Sequence, residues 1–213
     1  AVNADTVVTL LGVTVRDTLP EKDGFGLGVD AHRGARLSID ECSILDSTAT
    51  GLLINGEGTV AEVRNTVVND TQLNADGSAG FGVQAIDGAL LSIEDGEVTG
   101  NAMAGLMASD PGTRVTIQGT RFASTRVSHG EQGAAAMGLM IQNGAILAAT
   151  GITASDNEGP GLYAYGEGAL ISCVECSISD NLFAGATVAD AATLVLSSSV
   201  LTGSRESVDL GGG

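Results

Sequence analysis

Basic and aromatic residues are scarce in this 213-residue chain, and both shortages exclude classes of function. Nine lysines and arginines stand against 26 aspartates and glutamates, which gives a net charge of −17 at pH 7. That charge would repel the phosphates of a nucleic acid and an anionic membrane surface, so neither is expected as a partner. Tryptophan is absent and aromatic residues make up only 3% of the chain, which argues against an aromatic platform for stacking sugars.

Long apolar runs, prolines and cysteines are also few. No apolar run reaches the roughly 18–20 residues of a membrane-spanning helix, so no span is expected. Three prolines accompany 31 glycines, a balance typical of many tight bends, because glycine adopts positive φ cheaply. Cys173 and Cys176 have the C-x-x-C spacing of a zinc or redox site, but no second pair or suitable histidine accompanies them. We therefore expect these two and Cys42 to be buried free thiols.

A repeat runs through the whole chain, and residues 34–44 (GARLSIDECSI) are its clearest copy. Counted from Gly34 as position 0, the apolar residues fall at positions 3, 5, 8 and 10. Alternation within each pair indicates a strand with one buried face, and the extra residue between positions 5 and 8 predicts a corner. A third short run, such as Gly51–Ile54, closes a copy. Eight copies fit this pattern, starting at Asp5, Gly34, Gly58, Gly88, Gly112, Gly144, Gly168 and Ala191.

Copies of about 24 residues cannot bury an apolar face alone, so they must stack on one another. One coil of three strands per copy would give three parallel sheets along a common axis, with strands about 4.8 Å apart. The pattern G-A-x-L-S-I-x-x-C-x-I-x-D-N resembles the right-handed parallel β-helix, the pectate-lyase-like superfold. The prediction is therefore all-β: a single-stranded right-handed parallel β-helix of about eight coils, with residues 1–213 as one domain.

Small polar residues recur at position 13, and the resemblance implies that they form a hydrogen-bonded ladder inside one bend. We expect them to adopt the left-handed conformation of that bend, which asparagine tolerates. The series is Thr18, Ser47, Thr71, Asn101, Thr125, Asn157, Asn181 and Ser204. A leucine-rich repeat is the alternative fold, since its period and L-x-L spacing overlap, but it asks for Asn or Cys at position 8 and a helical other half.

Three insertions interrupt the repeat at one constant place, directly after position 13. They occupy residues 19–24, 72–78 and 126–133 of alternate copies, so they should emerge from one edge of the stack as a ridge. Loops on a rigid scaffold often carry binding residues, although solvated bends with no ligand are the favoured explanation of these loops. The candidate binding residues on the ridge are Asp23, Asn74, Asp76, Arg126, His129 and Glu131.

The resemblance implies polysaccharide lyase or glycoside hydrolase activity as one function of such a fold. Lyases of this type use a basic residue, often beside calcium held by several acids, and the hydrolases need carboxylates that converge at one point. The nine basic residues are scattered here, and the aspartates at position 12 form a row at a bend. We therefore predict no catalytic residue, no metal and no cofactor; calcium is the open alternative, without a clear motif.

These observations favour a non-catalytic secreted or cell-surface scaffold that serves in adhesion or recognition. Its expected partner is a polysaccharide or another surface protein. The alternative is a carbohydrate-active enzyme with its site on the ridge, which a carboxylate within about 5 Å of Arg126 or His129 would favour.

The ends of such a helix expose strand edges that pair with other chains unless they are covered. Residues 1–4 and the tail 206–213 are short covers. We expect the chain to be a piece of a longer protein or to associate end to end with itself.

Overall fold

The computed structural model describes residues 6–20, 26–126 and 136–209, and the regular structure in these ranges is all β-strand. Each coil contributes one strand to each of three eight-stranded sheets, which we name A, B and C. The strand pairs are parallel in all three sheets. The predicted parallel β-helix of eight coils is therefore confirmed, and the half that a leucine-rich repeat would make helical consists of sheets B and C.

The three runs of each copy form the three sheets. Sheet A contains β1 (Val7–Leu11), β4 (Arg36–Asp40), β7 (Val60–Arg64), β10 (Leu90–Glu94), β13 (Arg114–Gln118), β16 (Ile146–Thr150), β19 (Leu170–Val174) and β22 (Thr193–Ser197). Sheet B contains β2 (Thr14–Arg16), β5 (Ser43–Leu45), β8 (Val67–Asn69), β11 (Glu97–Thr99), β14 (Arg121–Ala123), β17 (Thr153–Ser155), β20 (Ser177–Ser179) and β23 (Val200–Thr202). Sheet C contains β3 (Gly26–His32), β6 (Ala49–Asn55), β9 (Phe81–Ile86), β12 (Ala104–Ser109), β15 (Met137–Gln142), β18 (Leu162–Tyr165), β21 (Ala184–Ala189) and β24 (Glu206–Asp209).

Neighbouring coils are in register, so equivalent residues lie in rows along the axis. In sheet A, Leu37 pairs with Ala61, and Ala61 pairs with Leu91. All three side chains are buried in one continuous apolar core. The inward residues of sheets B and C, such as Val68 and Leu106, complete that core. Each coil thus buries its aliphatic side chains against the coils before and after it, as a solenoid requires.

The six central residues of the polar ladder at position 13, from Ser47 to Asn181, are buried, and the asparagines among them are hydrogen-bonded to neighbouring coils as expected. The hydroxyls of Ser47, Thr71 and Thr125 and the Nδ2 of Asn101 have no partner among the described residues. The Thr71 amide donates to Asn101 Oδ1 at 3.1 Å, and the Thr125 amide donates to Asn157 Oδ1 at 3.1 Å. Asn157 Nδ2 donates in turn to Asn181 Oδ1 at 2.8 Å. Side chains of successive coils therefore satisfy backbone amides that the turn between sheets B and C leaves without a strand partner.

The left-handed residue of this turn lies one position earlier than the prediction placed it. Asp70 and Asp156 at position 12 each have φ 57°, whereas the ladder residues that follow them do not have positive φ. The physical reason is that the side chain at position 13 must point inward, so the residue before it makes the turn. A second left-handed residue lies at position 7, where Asn65 has φ 48°, and turns the chain from sheet A to sheet B.

A row of glycines at the beginning of the sheet C strands lies directly against the polar ladder. A Cβ atom built on Gly82 would lie 2.7 Å from Asn101 Nδ2 and 2.7 Å from the Gly105 carbonyl oxygen. One on Gly161 would lie 2.6 Å from Asn181 Nδ2. These positions therefore have no room for a side chain. The row comprises Gly28, Gly51, Gly82, Gly105, Gly138 and Gly161.

The cysteine prediction is right for Cys42 and wrong for the other two. Cys42 is a buried free thiol whose Sγ donates to the Asp40 carbonyl oxygen at 3.2 Å. Cys173 and Cys176 form a disulfide, with their Cα atoms 6.0 Å apart. They lie on either side of the corner between β19 and β20, and both side chains point inward there. The corner therefore brings the two sulfurs within bonding distance, which the spacing alone does not reveal.

Candidate functional site

The three insertions all lie at the corner between sheets B and C. They connect β2 to β3, β8 to β9 and β14 to β15, which are alternate coils of the stack. This is the common edge expected from their constant place in the repeat. Three of the candidate binding residues, Asp23, His129 and Glu131, lie outside the described residues. The other three, Asn74, Asp76 and Arg126, fall into two different environments.

Asn74 and Asp76 shape their own loop. Asn74 is buried; its Nδ2 donates to Ser78 Oγ at 3.1 Å, and its Oδ1 accepts from the Ala79 amide at 3.0 Å. Asp76 Oδ1 accepts from the Ser78 amide at 2.9 Å, and hydrogen bonds from Ser78 lower the pKa of this carboxyl. Both side chains thus hold the turn in place. They fix the position of Ser78 and Ala79.

Arg126 lies in an open charged groove of about 450 Å³ at the same corner, further along the axis. Its Nη1 is 3.6 Å from Glu158 Oε1, so a carboxylate lies beside Arg126 within the distance that favours the enzyme alternative. Asp156, Asp180 and Arg205 also line this groove. The Arg126 side chain is 60% exposed, and an ion pair so open to water contributes about 0–1 kcal/mol.

A second and larger groove, of about 700 Å³, lies on the outer face of sheet C, and we call it the methionine groove. All four methionines of the chain, Met103, Met107, Met137 and Met140, belong to the apolar cluster that forms its floor. Its lining consists of Leu27, Thr50, Leu53, Ser78, Ala79, Phe81, Gln84, Ile86, Met103, Met107, Met140 and Gln142. No charged side chain of the described residues belongs to this lining.

Strand alternation builds the floor of the methionine groove. In β12, Leu106 and Ala108 point into the core, whereas Met107 and Ser109 point to the outer face. Parallel register places Met107 between Gln84 and Met140 in one row across the sheet. A row of outward side chains on adjacent strands forms a continuous surface, with strands about 4.8 Å apart.

The second inserted loop, residues 72–78, borders the methionine groove on one side. The loop that Asn74 holds supplies Ser78 and Ala79 to the lining. Leu27 and Phe81 of the lining lie on β3 and β9, the strands that directly follow the first and second insertions. Of the three insertions, the second is thus placed beside a groove whose floor the sequence analysis did not predict.

Acidic residues surround the uncharged floor. Asp76 lies exposed on the inserted loop, next to the groove's Ser78. Asp87 and Asp110 follow β9 and β12 directly, at the opposite edge. Asp30 neighbours the groove's Leu53 in the sheet, where its carboxylate pairs with the His32 ring at 2.9 Å. The methionine groove is thus an apolar strip with acids on both sides and at one end.

Two tyrosines continue the outer face of sheet C beyond the methionine groove. Tyr163 pairs with Met140 and Tyr165 with Gln142, and the two rings stack 6.0 Å apart at an interplanar angle of 9°. A hydrogen bond to Asp190 raises the pKa of the Tyr165 hydroxyl. Two rings on one strand are a small extension of the apolar surface; they do not provide the long aromatic platform that the composition argues against.

The calcium site that the resemblance implies does not fit the described residues. Nowhere in the described part of the chain do three His, Cys, Asp or Glu side chains come together as a metal site. On sheet A, where acidic residues of adjacent strands come close together, Arg64 lies between two of them. Its Nε pairs with Glu94 at 3.2 Å and its Nη2 pairs with Glu62 at 3.2 Å. Within the same ranges no helix is long and apolar enough to cross a membrane.

Comparison with known proteins gives one structural likeness and one family match. A comparison with curated proteins found no match. Among solved structures, the crystal structure of pectate lyase Pel9A superposes with a TM-score of 0.49 at 12% sequence identity. That match covers 88% of this chain and 60% of the other, so the chain spans about three fifths of that protein's length. The family model described as "Right handed beta helix region" matches residues 71–213, two thirds of the chain, and the chain therefore belongs to the right-handed β-helix family.

Proposed function

We propose that this protein is a non-catalytic recognition module whose binding surface is the methionine groove. The observation that carries the proposal is the groove's composition: no charged side chain of the described residues lines it, in a molecule whose net charge is −17. A concave, largely apolar surface with a few polar groups is the default binding site of an uncharacterised protein. The partner is expected to present an uncharged, apolar contact face.

The position of the inserted loops supports the same surface. Leu27 and Phe81 lie on strands that directly follow two of the insertions, and Ser78 of the second insertion, with Ala79 directly after it, contributes to one wall. A protein that served only as a rigid stalk would not require inserted loops at alternate coils. Loops that border a rigid sheet are the usual place for recognition.

The rigidity of the scaffold also suits recognition. The strands beneath the groove, β6, β9 and β12, each pair with a strand on both sides. Their inward faces are packed in the continuous core. A surface that is already ordered loses little conformational freedom when it binds, and this raises affinity.

An extracellular setting is part of the proposal. The disulfide between Cys173 and Cys176 supports it, because disulfides persist in oxidising compartments and are rare in the cytosol. We therefore expect the partner to be a molecule of the cell surface or the surrounding matrix.

The proposal is tested with a neutral apolar dye, Nile red, and a matched pair of variants. The double variant Met103→Gln and Met140→Gln makes the groove polar with little change in side-chain length. The control, Leu90→Gln with Val174→Gln, changes two exposed apolar residues outside sheet C. We expect the native protein and the control to shift Nile red emission to the blue and the groove variant to lose most of that shift. Equal shifts in all three proteins would overturn the proposal.

A carbohydrate-active enzyme is the second candidate function, favoured by one observation: the Arg126–Glu158 pair in the charged groove. Arg126 would be the basic group and Glu158 the acid. Polygalacturonate and neutral glucans are incubated with the protein, and new reducing ends and unsaturated products are measured. We expect no product. Product formation that disappears in Glu158→Gln but persists in Glu167→Gln, an exposed residue outside the charged groove, would establish the enzyme instead.

A further inference from the structure

We propose that the methionine groove binds an amphipathic α-helix of a partner protein, whose apolar face enters the groove while lysines and arginines on its flanks meet the acidic rim. This inference rests on the proposed function and names the partner's chemistry. It follows from four features of the groove. These are the hydrogen bonds that its polar side chains already make, the pairing of its strands with neighbours, its length, and the acidic residues on its rim.

Thr50, Gln84 and Gln142 of the groove already have hydrogen-bond partners on the outer face of sheet C. Thr50 Oγ1 donates to Gln84 Oε1 at 3.2 Å, and Gln142 Nε2 contacts Ser109 Oγ at 3.5 Å. A polysaccharide needs many hydrogen-bonding groups for its hydroxyls, whereas these pairs are already engaged. Thioether side chains, by contrast, are flexible and polarisable and adapt to apolar side chains of varied shape. The groove is therefore better suited to apolar side chains than to sugar rings.

Among the described strands of the floor, only β3, the last strand of sheet C, has a free edge, and it lies at one end of the groove. Strands β6, β9, β12 and β15 each pair on both sides, so an extended peptide that lies along the groove has no backbone edge to extend over most of its length. An extended peptide would also leave its own backbone groups unpaired against an apolar floor, at considerable cost. A helix satisfies its backbone internally and presents only side chains. Of the common modes of peptide recognition, the helix in a groove fits this surface.

The length and spacing of the floor match those of a helix. The groove crosses five adjacent strands, from β3 to β15. At about 4.8 Å per strand this is about 19 Å, which a helix of about 13 residues spans. The helix rises about 5.4 Å per turn, close to the strand spacing, so one apolar residue per turn can follow the rows of the sheet. Anchors at i, i+3 or i+4, and i+7 are the expected pattern.

The acidic rim of the groove favours a helix with positively charged flanks. Asp76 lies on the loop side, Asp87 and Asp110 lie on the opposite edge, and Asp30 lies at one end. Basic residues that flank the apolar face of a helix would meet these carboxylates. The net charge of −17 would also attract a basic partner and accelerate its approach at low ionic strength.

The test uses a fluorescein-labelled synthetic peptide of about 14 residues, with leucines on one helical face and lysines on its flanks. A scrambled peptide of the same composition, which has no apolar face as a helix, is the control for charge alone. Binding is followed by fluorescence anisotropy at low and high salt, and helix formation by far-ultraviolet circular dichroism. The groove variant Met103→Gln/Met140→Gln is compared with Leu90→Gln/Val174→Gln, after thermal melts establish that both fold.

We expect the amphipathic peptide to bind the native protein and to gain helix content. Its affinity should fall about tenfold or more for the groove variant and stay unchanged for the control, since centrally buried anchors dominate binding. The scrambled peptide should bind at least tenfold more weakly, about 1.4 kcal/mol. Equal binding of the scrambled peptide, or equal affinity for the two variants, would overturn the inference. If Nile red binds the groove but the peptide does not, the helical partner is wrong and the recognition surface stands; if neither binds, both fail.

Discussion

Asn157 is a single buried side chain that connects three successive coils. Its Oδ1 accepts from the Thr125 amide of the coil before, and its Nδ2 and backbone amide both donate to Asn181 Oδ1 of the coil after. Asn181 Nδ2 in turn donates to the Ala154 carbonyl oxygen. An amide side chain suits this position because it is donor and acceptor at once. Each asparagine of the ladder thus couples the stability of its coil to that of its neighbours.

Replacing Asn157 by alanine should destabilise the protein by about 1–3 kcal/mol, because the Thr125 amide would be left buried without its acceptor, while Asn181 Oδ1 would keep only the Asn157 backbone amide. Urea unfolding followed by circular dichroism measures the free energy of unfolding. The control is Gln118→Ala on an exposed position of β13, which should change stability by no more than about 0.5 kcal/mol. Equal effects of the two substitutions would mean that the ladder does not contribute as described.

Gly82 of β9 packs directly against this ladder, and it should not tolerate alanine. The added methyl would approach Asn101 Nδ2 and the Gly105 carbonyl oxygen at 2.7 Å each, and backbone cannot move aside cheaply. We expect a loss of about 3 kcal/mol, typical of overpacking a tight core.

The control for Gly82→Ala is Gly151→Asn. Gly151 has φ +62° and no neighbour within 4 Å of an added Cβ, and Asn65 occupies the equivalent corner of another coil. Asparagine tolerates this conformation, so the change should be nearly neutral. Chemical denaturation of both variants measures the difference; a Gly82→Ala protein as stable as the native one would contradict the close approach.

The corner between β19 and β20 contains a disulfide that the sequence could not predict. The spacing of Cys173 and Cys176 indicates only that both side chains point inward. Whether two inward thiols meet depends on how tightly the chain turns, which is a property of the folded corner. A bond between residues three apart closes a small loop, so its expected contribution is modest.

Removing this disulfide should lower the free energy of unfolding by about 2 kcal/mol, the loop-entropy value for so short a closure. The variant is Cys173→Ser with Cys176→Ser, measured by denaturant titration. A thiol count on the unfolded native protein decides the pairing independently. We expect one reactive thiol, from Cys42, without reductant and three with it. Three thiols without reductant would show that the bond does not form.

The sheets themselves were predictable, whereas the outer face of sheet C was not. Inward positions repeat because every coil must fill the same core, so residues such as Leu37, Ala61 and Leu91 recur at one offset. Outward positions are under no such constraint, and Gln84 and Met107 share a row without sharing chemistry. The constant place of the insertions predicted the corner at which the second insertion lies beside the groove. The concentration of all four methionines within residues 103–140 was the available signal for its floor.

At the scale of the whole molecule, stacking places the acidic residues of one coil next to those of the following coil, just as it places core residues next to core residues. Nine basic residues can neutralise at most nine of 26 acids, so unpaired carboxylates face one another along the axis. Asp70 illustrates the effect: partial burial, followed by the charge of Asp46, raises the pKa of its carboxyl. A carboxyl whose pKa is raised by folding binds its proton more tightly in the folded state. Its contribution to stability therefore rises as pH falls from 7 through the folded pKa towards the ordinary value of 3.8.

Sodium chloride should therefore stabilise the protein at pH 7. Salt weakens exposed pairs such as Arg121–Glu97, each worth about 0–1 kcal/mol, but it also screens the repulsion among the many unpaired acids. With 17 charges unbalanced, the screening of repulsion should be the larger effect. We expect the melting temperature to rise between low salt and about 0.5 M, where the screening length falls below about 5 Å. At pH 4.1, the isoelectric point, the net charge is close to zero and the same salt series should change the melting temperature little. A melting temperature that falls with salt at pH 7 would mean that the ion pairs outweigh the repulsion between coils.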